Sequence, residues 1–260
     1  AKGNPPLHDF LARTTYREGE RPRSEPEYPG DGEVQGEWVR TTGIFRCPEA
    51  GAQAEIELSF RWAADTTVDW SDVQLVPVEP PPARKVRLAA VHYAPADGQT
   101  NADKCRLFGP LVEQAAKQQA ELVVLPETLT WYNAGKPAEE CAEPVPGPST
   151  QYFGELARQH NLYIVAGLLE RDQHKVYNVA VLLGPDGKLA GKYRKVALPR
   201  TEIDGGITPG TEYPVFETRF GKLGMMVCYD GFFPEVARGL SRNGAEVIAF
   251  PVWGCNPLLA

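Results

Sequence analysis

The chain has 260 residues, 42% of them hydrophobic and 23% charged, which suffices for one large or two modest domains and lies outside the composition of disordered chains. Its 27 Lys and Arg against 34 Asp and Glu give a net charge of −7, which disfavours the basic footprint of a nucleic-acid binder. No apolar run approaches the roughly 18 residues of a membrane span. The 5 cysteines are widely spaced with no CxxC pair, so they argue against a zinc knuckle or a disulfide framework, and their odd number leaves at least one thiol free or intermolecular.

Residues 1–36 are broken by Pro5, Pro6, Pro22, Pro26 and Pro29 and are expected to be extended and linker-like. From residue 37 to 79 the texture changes. In TTGIFRCPEAG, AEIELSFRW and TTVDWSDVQLVPV apolar residues alternate with polar ones, with Pro48–Gly51 as turn punctuation, which predicts part of an antiparallel β-sandwich. Its Trp38, Trp62 and Trp70 suit a core, or sugar stacking. Residues 80–85 are a Pro-rich linker, because Pro80, Pro81 and Pro82 can neither donate a ladder hydrogen bond nor continue a helix. Residues 86–260 then alternate strands and helices: strand VRLAAVHYA, a helix over 102–120 kinked at Pro110, strand ELVVLPE, a helix over 150–159, strand NLYIVAGLLE, and a hairpin turning at Gly184–Gly187. A strand pair, a helix from about residue 232 and a strand EVIAFPVWG follow, the pattern of a layered α/β domain.

Three segments of that domain end an apolar strand in a reactive residue. Leu122–Glu127 carries a carboxyl out of an apolar strand, where lost hydration suits it to general-base or general-acid work. In Gly191–Pro199, alternation puts Tyr193, Lys195 and Ala197 on one face and Lys192, Arg194 and Val196 on the other. Lys195 can thus point inward, a fixed positive charge for a developing oxyanion, while the neighbouring cations face water. Cys228 ends the strand beginning at Leu223 and precedes a helix whose Pro234 suits the first helical position. Exposed N–H groups there would favour a thiolate and bind an oxyanion. Taken singly, each segment also reads as an ordinary strand-end carboxylate, a solvated basic strand or a buried thiol.

Together, in this order and spacing, LPE, YRK and CYD resemble the nitrilase superfamily of carbon–nitrogen hydrolases, from Arg84 to the last residue. The resemblance implies an α-β-β-α sandwich and a Glu-Lys-Cys triad: Glu127 as general base and acid, Lys195 as oxyanion stabiliser, Cys228 as nucleophile. It also implies a second Glu, best matched by Glu202, and an oxyanion contact from the backbone N–H of Tyr229. The implied reaction is hydrolysis of an amide or N-carbamoyl compound through a thioester, with a small-molecule substrate, no metal or organic cofactor, and a homo-oligomer for the full-length protein. Tyr229-Asp230 after the cysteine resembles the amidase and carbamoylase branches, whereas a Trp there goes with nitriles. Several amidase-like members carry CYDxRFPE; here Phe232 stands at the arginine position, so a substrate assignment resting on that arginine does not carry over.

The segment before Pro80 resembles the last strands of a galactose-binding-like jelly roll, which makes carbohydrate a candidate partner and favours an extracytoplasmic setting over a cytoplasmic one. Relative to the resembled domain, residues 86–260 lack further strands on the C-terminal side, so a piece of a longer enzyme, poorly stable and weakly active alone, is expected. Two rival functions use the same residues differently: a carbohydrate- or surface-binding protein with an inactive hydrolase-like domain, and an N-acyltransferase in which an amine replaces water at the thioester.

Overall fold

The computed structural model of the protein describes residues 2–3, 10–30, 32–48, 52–60, 67–83, 85–95 and 97–253; Trp62, Cys255 and most of the Pro48–Gly51 turn lie outside them. The chain divides into two units between Pro81 and Pro82. The first holds strands β1 (Lys2–Gly3), β2 (Phe10–Glu18), β3 (Arg21–Pro22), β4 (Glu33–Gln35), β5 (Trp38–Arg40), β6 (Gln53–Phe60) and β7 (Val68–Asp69). β2 lies between β3 and β6, antiparallel to both, while β4 pairs with β5 and β1 with β7. Residues 1–36, expected to be linker-like, therefore contribute a nine-residue strand. No proline falls between Pro6 and Pro22, so every N–H of β2 can join a ladder, and Thr14, Thr15 and Tyr16 are buried. Pro22 sits in the edge strand β3, where a missing donor is tolerated. Trp38 and Trp70 line a groove of about 920 Å³ in this unit with Arg40, Asp72 and Gln74.

The second unit holds β8 (Leu88–Ala90), α1 (Asn101–Lys117), β9 (Leu122–Val124), α2 (Ala138–Cys141), α3 (Pro148–His160), β10 (Tyr163–Asp172), β11 (Lys175–Leu183), β12 (Leu189–Arg194), α4 (Arg200–Asp204), β13 (Val215–Thr218), β14 (Gly221–Met225), α5 (Pro234–Arg242) and β15 (Val247–Ala249). Local chemistry sets these boundaries. Thr100 and Asp103 form a reciprocal capping box at the start of α1, and α3 begins on Pro148 and ends at Asn161 in the left-handed region (φ 51°). The helix α1 runs unbroken through Pro110.

Five strands form one sheet in the order β12-β11-β10-β9-β8, and β13-β14-β15 form a second. β8, β9 and β10 are mutually parallel, and β11 and β12 continue antiparallel. The period-2 pattern sorts side chains between two cores. Val123, Ile164, Ala166, Val179 and Val181 pack with Phe108 and Val112 of α1 and Phe153 and Ala157 of α3. The opposite face, with Leu122, Val165, Ala180, Leu182 and Tyr193, shares a core with Leu223 and Met225 of β14 and with Val236 and Leu240 of α5. The unit is thus a mixed α/β stack in which two sheets enclose a common apolar layer. The chemistry-bearing residues gather at one end of that layer.

Candidate active site

Glu127 is set by a close backbone approach. Beyond β9 the Leu125 N–H donates to Val165 O (2.8 Å), and the Gly167 N–H of β10 donates to Pro126 O (3.1 Å). A Cβ on Gly167 would lie 2.4 Å from Glu127 Cα and 2.6 Å from Pro126 O, so only glycine lets this turn rest on β10. Lys195 follows β12, its N–H donating to Asn178 O (2.9 Å) and its carbonyl accepting from Gly210 N–H (2.8 Å). Cys228 opens a 3-10 turn, Cys228–Phe232, that precedes α5, and α5 begins at Pro234, the first helical position expected from the sequence. Its φ of 41° is in the left-handed region, a strained setting for a side-chain-bearing residue, held by its N–H donating to Pro251 O (3.0 Å).

The structure brings four of the sequence-derived candidates into one cluster. Lys195 Nζ donates to Glu127 Oε1 (2.8 Å) and to Glu202 Oε1 (2.6 Å), with the lysine side chain 0% exposed and the two carboxylates 3% and 13%. The Cys228 thiol lies beside Glu127, close enough for the carboxylate charge to act on it. Tyr229 is the second residue of the 3-10 turn, where a helical N–H has no acceptor within its own turn, and its ring packs against Phe232 and Phe233 (centroids 5.4 and 5.3 Å).

Three further residues complete the cluster, none of which was given a site role from the sequence. Asn178 of β11, 2% exposed, donates through Nδ2 to Glu127 Oε1 (2.8 Å) and, more weakly, to both oxygens of Glu202 (3.4 and 3.3 Å). The Trp253 N–H donates to Glu127 Oε2 (2.9 Å), and the Trp253 ring lies against Tyr132 (centroids 3.4 Å). Fully buried Asp230 accepts from Tyr193 Oη (2.7 Å) and Val227 N–H (2.8 Å) on Oδ2 and from Ala197 N–H (2.8 Å) on Oδ1, tying the lysine segment to the cysteine turn. Asn178 carried a faint signal, a lone amide in the apolar run VYNVAVLL; Asp230 carried one inside CYD.

Charge in the cluster follows from burial and from two carboxylates sharing one ammonium. Burial raises the Glu202 carboxyl above its ordinary range against the pull of Lys195, and Glu127 adds to the rise. Burial alone would lower Lys195, but Glu127 and Glu202 overcome it and hold the ammonium above its ordinary value. The Cys228 thiol is pushed up to about 11, first by burial and then by the Glu127 charge, against the opposing pull of Lys195. The expected thiolate-favouring setting meets an opposing environment, since burial and the Glu127 charge favour the neutral thiol.

The two cations flanking Lys195 also differ from expectation. Lys192 and Arg194 do not simply face water but converge on Glu170, whose side chain is 3% exposed; Arg194 Nε lies 2.7 Å from it, and the guanidinium also reaches Asp172 (2.8 Å) and stacks over the Tyr177 ring. The alternation argument separated the faces correctly but not their environments, because Glu170 arrives from β10, two strands away.

A carbon-nitrogen hydrolase family model matches residues 87–257, and the chain belongs to that family, the nitrilase superfamily. It is 45% identical over 145 residues to a nitrilase of Pyrococcus abyssi, covering 54% of this chain and 55% of that protein. It is 33% identical over 178 residues to omega-amidase NIT2 of Xenopus tropicalis, covering 64% and 63%. The chain thus spans between half and two thirds of the length of these curated relatives. Among solved structures, Saccharomyces cerevisiae Nit3, a member of branch 10 of the superfamily, aligns with a TM-score of 0.60 at 28% identity over 68% of this chain and 67% of that one. A carbon-nitrogen hydrolase from Helicobacter pylori aligns with a TM-score of 0.56 at 28% identity over 66% and 62%.

Proposed function

We propose that the protein hydrolyses the carbon–nitrogen bond of a small amide through a thioester on Cys228. The observation that carries this reading is one carboxylate, Glu127, hydrogen-bonded to a buried ammonium and near enough to Cys228 for its charge to act on the thiol. Glu127 takes the thiol proton as sulfur attacks the amide carbon, forming a C–S bond and placing negative charge on the former carbonyl oxygen. Two of the three donors of Lys195 are engaged by carboxylates, leaving one for that oxygen together with the Tyr229 N–H. Collapse breaks the C–N bond, and Glu127 returns its proton to the leaving nitrogen. The same carboxylate then draws a proton from water, whose oxygen attacks the thioester and frees the acid and the thiol. Glu202, with its raised carboxyl, holds Lys195 from the other side.

An amide rather than a nitrile is favoured by Tyr229-Asp230 after the cysteine and by the omega-amidase relatives; the nitrilase relative makes nitriles the competing substrate. Ammonia release from a panel of aliphatic amides, N-carbamoyl amino acids and nitriles is the test. Release from the amides that is abolished in Cys228→Ala is expected, and release that survives the substitution refutes the thiol mechanism.

A further inference from the structure

The two oxygens of Glu127 are held differently. Oε1 accepts two strong donors, Lys195 Nζ (2.8 Å) and Asn178 Nδ2 (2.8 Å), whereas Oε2 accepts only the Trp253 N–H (2.9 Å) among the described protein contacts. The Trp253 N–H that binds Oε2 also lies beside Cys228, so Oε2 is the oxygen that shares a neighbour with the thiol. A carboxylate oxygen offers two lone pairs. Both lone pairs of Oε1 are occupied; one on Oε2 is open.

Asn178 itself shows what this arrangement requires. Its Oδ1 is buried and has no hydrogen-bond partner, while its Nδ2 is aimed between Glu127 and Glu202. A buried orphan acceptor is costly, and an asparagine serving only to satisfy β11 would be oriented to avoid it. The amide is instead oriented by the two carboxylates.

We propose that Asn178 is a positioning residue which, with Lys195, anchors Glu127 Oε1 so that Oε2 alone carries the mobile proton between the Cys228 sulfur, the leaving nitrogen and water. This rests on the thioester reading above and adds to it the atom through which every proton passes. When Oε2 is protonated, Oε1 becomes the carbonyl oxygen of the neutral acid and still accepts both donors. The anchor therefore survives each transfer, and the carboxyl need not rotate between the acylation and deacylation steps.

The test uses Asn178→Leu, which removes the donor, and Asn178→Asp, which keeps the shape without it, assayed with propionamide and succinamic acid. Folded protein is isolated by size-exclusion chromatography and each molecule of it is counted as one active site, so that misfolded protein is excluded from kcat. Per active site, kcat is expected to fall about 10- to 100-fold with KM changed less than about threefold, as for a misplaced general base. Because the anchored carboxylate serves both half-reactions, the formation and the decay of the acyl adduct on Cys228, followed by mass spectrometry of quenched enzyme, are both expected to slow. Variants that lower the number of active sites while the remaining sites keep wild-type kcat and wild-type rates of adduct formation and decay would overturn the proposal and leave Asn178 structural. That outcome is separable from failure of the thioester reading, which is marked by ammonia release in Cys228→Ala whatever Asn178 does.

Discussion

At the residue scale the proposed nucleophile is a cysteine whose surroundings favour the thiol. With Cys228 pushed up to about 11 from an ordinary 9.0, its thiolate fraction at neutral pH is about 100-fold below that of a free cysteine. Because the charged form is the disfavoured one, uncatalysed alkylation of Cys228 should rise with a midpoint near 11. In Glu127→Gln the midpoint should fall, since the Glu127 charge is the second cause of the shift, yet stay above 9.0 because burial remains the first. Mass spectrometry of the Cys228 peptide after timed iodoacetamide exposure across pH reads both values; a wild-type midpoint at or below 9.0 contradicts the burial argument. The same variant should lose turnover by about 100-fold or more, so that a more ionised cysteine becomes a worse catalyst. Glu127, Lys195 and Cys228 were legible in the sequence because each ends an apolar strand run with a residue type that is costly to bury there. Asn178 and Asp230 were not, because what distinguishes them is their partners: Asn178 meets a carboxylate 51 residues away, and Asp230 meets Tyr193, 37 residues away.

At the element scale the site depends on how closely β10 lets the Glu127 turn approach. Gly167→Ala places a methyl 2.4 Å from Glu127 Cα and 2.8 Å from Thr128 N, both backbone atoms that cannot swing aside. The turn must lift, and a displacement of about 1 Å at a general base costs roughly 100-fold in rate. Gly167→Ala is therefore expected to lower kcat by about that factor and to lower the melting temperature, as overpacking does. Gly30→Ala, where the nearest atom is 3.7 Å away, should change neither. Steady-state assay and thermal unfolding of the two variants check this, and wild-type kcat in Gly167→Ala contradicts it. Apolar runs marked β9 and β11, which are largely buried, and alternation sorted the faces around β12, whereas β2 was obscured by prolines that lie at its flanks rather than within it.

At the scale of the whole molecule the site sits where two sheets share an apolar layer. Leu122, Ala180 and Tyr193 come from one sheet, Leu223 and Met225 from the other, and the catalytic candidates emerge from the ends of those same strands. Motif order revealed the family because three spaced signals are more specific than any one. It did not reveal the cavity that chooses a substrate, because that is formed by segments whose mutual placement no local pattern encodes. The most direct test of the mechanism is the mass of the enzyme quenched in acid during turnover of a primary amide. An adduct on the Cys228 peptide equal to the acyl group of the substrate, removed by hydroxylamine and missing in Cys228→Ala, is the expected result. Ammonia release with no acyl adduct at Cys228, and undiminished in Cys228→Ala, would contradict it.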